Sequence, residues 1–553
     1  MVLGFQEGNK TPKGSGDQPL TSNRYHLVFS GRIDNREKLA PDKEEVPDSE
    51  LFLSLLNQKS ITSLKEIVGA FSAIVWDRRK EKMFLMRDKT GIRHLYYSEN
   101  DNLIASNHIG KLLSSETVEH KPNKKVVAEH LIGDPVKRSE TFYKGVMSVR
   151  NGSVVKIDEN ISRKKYWRPG NRSEQLDKMN EKELVQELRS LLERAVRDRM
   201  RSSKSSKIGV MMSGGKDSTS LAYIADKIED ISVCSITFPE LPDMDESNMI
   251  NTVASDLDGE FYEFDGSEKW ALKQIDPYRE AAVCGPRFDS NVFLNKDFYN
   301  YCSKNNLDIL VTGMGGNLLD GTRIKYWDLL RSGKLGTLAR EIFMDPVNSE
   351  KILYWYILKP LASSILKREL EIPAWISEKT TEKIKRNHEE RRYAPSLQVE
   401  YRNYFGPHRF LSLDAENILA DNFNIEFREP FYDSRLVDFI FSLPVGYRMR
   451  KGEKKYLFKK SMRGLVPDKI IEQEKDTSLD PLTEKGFREK EKSQLKTLLL
   501  DNPELIKRSY VKPEKFRSYV RSYLEEKNGE TQKFWKVVAT EIWLRTIENR
   551  SME

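Results

Sequence analysis

The sequence predicts an α/β protein in two parts. A β-rich region covers 1–167, and a linker covers 168–180. A larger unit over 181–553 is organised on a doubly wound parallel sheet and ends in helices. Three observations carry this reading. Short β-branched and aromatic runs, bounded by turn residues, crowd the first 165 positions. From 207 onward, strands and helices alternate at the spacing of parallel crossovers. A glycine-containing loop joins the first strand of that alternation to its first helix.

In the β-rich part, Tyr25–Ser30, Ala70–Trp76 and Lys82–Met86 read as strands. Residues 94–107 read as a hairpin turning at Glu99–Asn102, and Ser153–Ile157 with Lys164–Trp167 as a last strand pair. Glu50–Gln58 has helical spacing. The linker is polar, with Pro169 and Gly170. Glu181–Arg201 then sets Leu184, Leu188, Leu191, Leu192, Ala195 and Val196 on one helical stripe. Strands follow at Ile208–Met212, Ile231–Phe238, Glu260–Phe264 and Leu307–Gly313. Helices lie between them at Ser218–Ile228, Glu246–Leu257 and Phe293–Lys304. Beyond about 320 the pattern is mostly helical, through Leu413–Asn422 to Val537–Asn549. The apolar run Ile352–Leu358 is too short to cross a bilayer and reads as a buried helix.

Over 553 residues, 38% are hydrophobic and 10% aromatic, which excludes a disordered chain. No 18-residue apolar window exists, so no membrane partner is expected. The net charge of +7 suits an anionic small ligand. No basic stripe with interleaved aromatics accompanies it, so nucleic acid is not an expected partner. The basic blocks Arg197–Lys207 and Lys451–Lys460 read as solvated helix faces or linker. Cys234, Cys284 and Cys302 are too few and too scattered for a disulfide framework or a zinc site. With no apolar leader at the N-terminus, the expected location is the cytoplasm.

The segment MMSGGKDST at 211–219 carries the chemistry. Ser213, Gly214 and Gly215 allow a tight turn, and the following helix brings the positive end of its dipole. Lys216 adds a cation, Asp217 a carboxylate for a metal, and Ser218 and Thr219 add hydroxyls. The spacing is neither that of a Walker A loop nor G-x-G-x-x-G. It resembles the pyrophosphatase loop of enzymes that split ATP into AMP and pyrophosphate.

Other segments extend the resemblance to the asparagine synthetase and β-lactam synthetase family. They include SGRIDNREKL (30–39), DSELFLSLL (48–56), residues 69–97, TGMGGNLLDG (312–321), IEFREPFYD (425–433) and residues 451–476. The resemblance implies an Ntn-hydrolase-like β-sandwich of the glutamine-amidotransferase type, then an adenine-nucleotide-binding synthetase domain. It implies ATP and Mg2+ as cofactors, a small-molecule carboxylate substrate, and an amine or ammonia donor. Ser213, Gly214, Gly215, Lys216, Asp217, Ser218, Thr219, Thr312, Gly313 and Gly315 would hold the nucleotide. Asp217, Asn317 and Asp320 would hold the metal. Lys475 and Lys455 would meet the phosphates and the developing charge, and Glu416 is a general-base candidate. Glu426 and Arg428 are expected to form a buried ion pair.

The sequence also departs from that family. Residue 2 is Val2 where glutamine-using members carry a nucleophilic cysteine, and valine cannot form the thioester. Their glutamine-holding Asn-Gly-Glu reads Ser30–Gly31–Arg32 here, although Asp48 survives. A glutaminase half that keeps its fold without its activity is expected. Met314 stands where asparagine synthetases have glutamate and β-lactam synthetases tyrosine, and with methionine there the tyrosine–glutamate dyad of the latter cannot form. Asn317 replaces a metal-binding aspartate. The expected function is an AMP-forming, ATP-dependent amide ligase without glutaminase activity. A β-lactam-synthetase-like or lasso-peptide-cyclase-like ligase and a non-catalytic ATP-binding protein remain as alternatives, and a homodimer as one assembly.

Overall fold

In the N-terminal part, strand register sorts alternate side chains onto opposite faces. The strands are β1 (Leu20–Thr21), β2 (Tyr25–Ile33), β3 (Gly69–Asp77), β4 (Lys82–Arg87), β5 (Tyr96–Ser98), β6 (Ile104–Ser106), β7 (Val146–Ser148), β8 (Ser153–Ile157) and β9 (Ile161–Lys165). They form an antiparallel six-stranded sheet, β1-β2-β3-β4-β8-β9, and a three-stranded sheet, β6-β5-β7. Phe84 and Met86 of β4 pack with Phe52 and Leu56 of helix Asp48–Lys59. Leu85, between them, packs with Tyr97 of the smaller sheet and Val155. The sheets are thus joined by one face of β4 and the helix covers the other. This computed structural model describes residues 16–550 except 42–45, 99–102, 134–138, 203–204, 288, 348, 360–371, 383–394, 474–477 and 526–528.

The second part is built on β10 (Lys207–Met211), β11 (Ser232–Thr237), β12 (Phe261–Asp265), β13 (Leu307–Val311) and β14 (Glu426–Arg428). All are parallel, in the order β12-β11-β10-β13-β14. Ile208, Val210, Val233, Ile309 and Val311 face helix Glu181–Met200. Cys234, Leu307, Leu310 and Phe427 face helix Val292–Lys304. The chain winds outward from β10 to β12, then returns to place β13 on the other side of β10. That reversal opens a crevice at the carboxyl ends of β10 and β13, where open α/β sheets bind ligands.

Four expectations need correction. The last N-terminal strand is Ile161–Lys165, earlier than expected, because it pairs with β8 from Ile157↔Ile161 to Ser153↔Lys165. β14 lies in a region read as helical, and three residues are too few to show a strand period. Ile352–Leu358 is helical but not buried as a whole. It caps a small outlying layer with Tyr326 and Ile342, so Ile352 and Ile357 are covered while Tyr354 and Trp355 are 55% and 52% exposed. The basic blocks are not simply solvated: Arg199 is buried between Asp34 and Asp433, and Lys455 is largely covered. The expected turn at 99–102 lies outside the described residues. The three cysteines are buried and form no disulfide. Among the described residues no helix is long and apolar enough to cross a membrane.

The two parts meet through buried polar contacts. His94 Nε2 bonds the Phe410 carbonyl at 3.0 Å, while His94 Nδ1 and the Tyr96 hydroxyl both meet Asp414. Burial pushes the Asp414 carboxyl up to about 6 and holds His94 well below its usual range. The folded state therefore binds the Asp414 proton more tightly than the unfolded chain does. The resulting stability is complete below about pH 4 and is lost as pH rises through about 6, a span of about 3 kcal/mol. The depressed His94 acts with the opposite sign over the same range, so the Asp414 contribution should appear as the difference between the urea-unfolding pH profiles of the wild-type protein and Asp414→Asn.

Candidate functional site

β10 delivers Met211 to the crevice, and the chain turns through Ser213–Gly215 into helix Lys216–Asp226. This helix begins two residues before the sequence period suggests, at the loop itself. Gly214 has φ +62°, the left-handed region that glycine tolerates. The loop closes on itself. The Ser218 hydroxyl accepts from the Ser213 N–H at 3.1 Å, and the Gly215 N–H donates to the Ser213 carbonyl at 2.6 Å. The first-turn N–H groups of the helix have no intrahelical acceptors and lie at this end.

The loop after β13 presses against it. A Cβ on Gly313 would lie 3.2 Å from Ser218 Cβ, and one on Gly316 would lie 2.2 Å from Asp217 Oδ2. The two loops wall a cavity of about 820 Å³, within the size range of small-molecule sites. Ser213, Gly215, Lys216, Asp217, Ser218, Thr312, Gly313, Asp320 and Lys455 line it. Lys451, Glu453, Lys454, Lys459, Arg323 and Glu246 complete its charged wall, and sequence reasoning singled out none of these residues, although 451–476 was a segment of the resemblance.

Other expected site residues lie elsewhere. Gly214 shapes the turn without lining the cavity. Thr219 is wholly buried on its helix. Gly315 supports the loop at φ +95°, where a Cβ would come 2.8 Å from the Tyr432 ring. Asn317 is exposed and off the cavity wall. The expected third metal ligand is therefore not part of the cavity wall. Lys475 lies outside the described residues.

Glu416 is buried behind the wall. It accepts from Arg287, from Asn295 at 3.2 Å and from the Tyr299 hydroxyl at 2.5 Å. Tyr299 lines the cavity and Glu416 does not. The carboxylate expected as a base therefore reaches the cavity only through a tyrosine. A tyrosine–glutamate pair is formed, but with Tyr299 in place of a residue at Met314. Burial raises the Glu416 carboxyl, and burial followed by the Glu416 charge raises the Tyr299 phenol.

Lys455 Nζ lies 2.5 Å from Asp217 Oδ2 and 3.3 Å from Asp320 Oδ1. Burial opposes its charge, but the two carboxylates outweigh that and hold its ammonium above the usual lysine range. Burial raises the Asp320 carboxyl. Asp217 Oδ1 is buried without a hydrogen-bond partner, and Asp320 Oδ1 is buried with Lys455 as its ion-pair partner. Two inward carboxylates suit a hard divalent cation such as magnesium, with Lys455 occupying the space between them. Lys455→Met should therefore tighten nucleotide-free Mn2+ binding at least tenfold, read by electron paramagnetic resonance. Unchanged affinity would show that the lysine does not compete for the carboxylates.

In the N-terminal part, Gly31 has φ +126°, and a Cβ there would lie 2.0 Å from the Ala70 carbonyl oxygen. Arg32, next in the chain, is buried, with Nε 2.9 Å from Asp34 and Nη1 3.2 Å from Glu426. Arg93 and Arg428 also reach Glu426. Asp48 accepts from the Ile33 N–H and pairs with Arg36 and Arg201. Removing one partner from such a cluster leaves buried charge unpaired. Arg32→Met should cost about 3–5 kcal/mol in unfolding free energy, measured by denaturant titration.

Residues 187–545 match the family model described as asparagine synthase, and residues 11–167 match the glutamine amidotransferase domain. The chain belongs to the asparagine synthase family. It is 25% identical over 467 residues to the glutamine-hydrolyzing asparagine synthetase 2 of Bacillus subtilis (strain 168), covering 78% of this chain and 60% of that protein. It is 22% identical over 602 residues to the glutamine-hydrolyzing asparagine synthetase 1 of the same organism, covering 100% of this chain and 90% of that one. The chain thus spans less than two thirds of the first relative's length. Among solved structures, the U34-tRNA thiolase NcsA from Methanococcus maripaludis aligns with a TM-score of 0.21 at 13% identity, over 46% of this chain and 86% of that one. That score supports no argument about the fold. Family membership gives the antiparallel and parallel layers their place as amidotransferase-like and synthetase-like halves.

Proposed function

We propose that this asparagine synthase family member is an AMP-forming amide ligase that does not hydrolyse glutamine. One observation carries the reading: the phosphate loop, the Asp217–Asp320 pair and the lysines of 451–455 converge on one cavity at the reversal of the sheet. Ser213, Gly215 and Ser218 would cradle the pyrophosphate end of ATP, and Asp217 and Asp320 would hold magnesium. When bound, the metal neutralises charge on the leaving pyrophosphate. The substrate carboxylate would attack the α-phosphorus, and an amine or ammonia would then displace AMP. Lys455, freed from the carboxylates, and Lys475 would stabilise the negative charge built in both steps. Tyr299 and Glu416 stand where they could take the amine proton. The domain division into 1–167, 168–180 and 181–553 belongs to the same proposal.

The N-terminal positions that resemble glutamine-holding residues support the absence of glutaminase activity. Arg32 is held by Asp34 and Glu426, and Asp48 is held by Arg36 and Arg201. Nitrogen would come directly from ammonia or an amine. The hold of Lys455 on both carboxylates favours one other reading, a protein that binds ATP without turnover.

Product analysis separates the two readings. The protein with ATP, Mg2+ and a carboxylate acceptor should release AMP and pyrophosphate, with ammonium used and glutamine not. Lys455→Met should slow AMP release roughly 10²–10³-fold. ATP bound without AMP in the presence of a small-molecule extract would establish the non-catalytic reading, and ADP would refute the loop assignment.

A further inference from the structure

The charge on the cavity wall is unevenly placed. The charged lining groups come from the phosphate loop, from Asp320–Arg323, from 451–459 and from Glu246, which stands against Gly214. The floor is different. It crosses the sheet from Cys234 and Ile236 near β11, past Met211 at the end of β10, to Phe427 in β14, with Phe298 and Tyr299 from helix Val292–Lys304. From β11 to β14 is three strand spacings, about 14 Å. That is more floor than one purine ring system covers.

The two polar handles near this floor are already engaged. The Tyr299 hydroxyl is turned to Glu416, which leaves its ring against Phe427 at a centroid separation of 5.2 Å. The Glu416 charge is met by Arg287, which also pairs with Asp289. Arg287 keeps two nitrogens without partners, but it is not part of the cavity wall. Met314, in the loop after β13, adds another uncharged surface to the cavity. An α-ammonium or a second carboxylate placed here would lose water and find no opposite charge among the described residues, which is strongly unfavourable. An aryl or alkyl chain would gain by leaving water.

We propose that the β14 end of the floor binds the acyl part of the substrate, and that this substrate is an apolar carboxylic acid rather than aspartate. The inference rests on the adenylating reading above, and its test keeps the two apart. Binding of 3-phenylpropionate, hexanoate and aspartate to the full chain is measured by calorimetry, with Mg2+ and α,β-methylene-ATP present. ATP–pyrophosphate exchange is measured in parallel with ATP.

The apolar acids should bind at least tenfold more tightly than aspartate. Met314→Glu should abolish that preference while binding of the ATP analogue is retained, which shows that the variant is folded. Aspartate binding as well as or better than the apolar acids overturns the substrate inference and leaves the ligase intact. No binding of either apolar acid to protein that holds the ATP analogue also overturns it. Apolar acids that bind in a Met314-dependent way but support no exchange uphold the apolar site and refute adenylation.

Discussion

The carboxylate of Asp217 occupies the space that a side chain at residue 316 would need, since a Cβ on Gly316 would sit 2.2 Å from Asp217 Oδ2. This close approach brings the loop after β10 into contact with the loop after β13. It is available because the winding of the sheet reverses between those strands. Gly313 against Ser218 repeats the constraint one turn away. Everything else at the site is arranged around this contact. Asp320 comes within reach of the same lysine as Asp217, and the lysine segment 451–455 closes the cavity from the side. A larger residue at either glycine would push the loop after β13, with Asp320, away from Asp217 and Ser218.

A second constraint joins the two halves. Glu426 receives Arg32 and Arg93 from the N-terminal part and Arg428 from its own strand, while Arg199 bridges Asp34 and Asp433. Buried charges of this kind are costly to desolvate and contribute chiefly by demanding partners. β14 therefore serves two ends. Glu426 and Arg428 face the junction, and Phe427 between them faces the cavity floor. The period-two alternation of three residues thus couples the packing of the N-terminal half to the wall of the site. In this chain, the residues that resemble a glutamine-binding site have become structural partners of the synthetase half.

Local pattern was sufficient for the strands at 25–33, 69–77 and 82–87, the helix stripe at 181–200 and the phosphate loop, because each declares itself within a few residues. Features that depend on long-range partners were not legible. Arg32 and Glu426 lie 394 positions apart, and nothing near either marks the other. Tyr299 and Glu416 read as unrelated helix residues until two helices set them together. Lys455 was expected at the phosphates, but its hold on Asp217 and Asp320 was not legible, because a lysine-rich turn has the same composition whether it faces water or a carboxylate pair. Asn317 failed in the opposite direction: its position in a familiar segment suggested a ligand, but its side chain turns to solvent.

By itself the sequence determined the two-part α/β plan, the family and the strand-loop-helix at 207–226, since periodicity, glycine placement and helix-end chemistry are local properties. Tertiary structure alone decided which cations meet which carboxylates, which polar groups are consumed behind the wall, and which face of the cavity is left apolar. Those outcomes depend on the crossing of strands and helices remote in the chain, where burial changes the meaning of a charge that composition can only count.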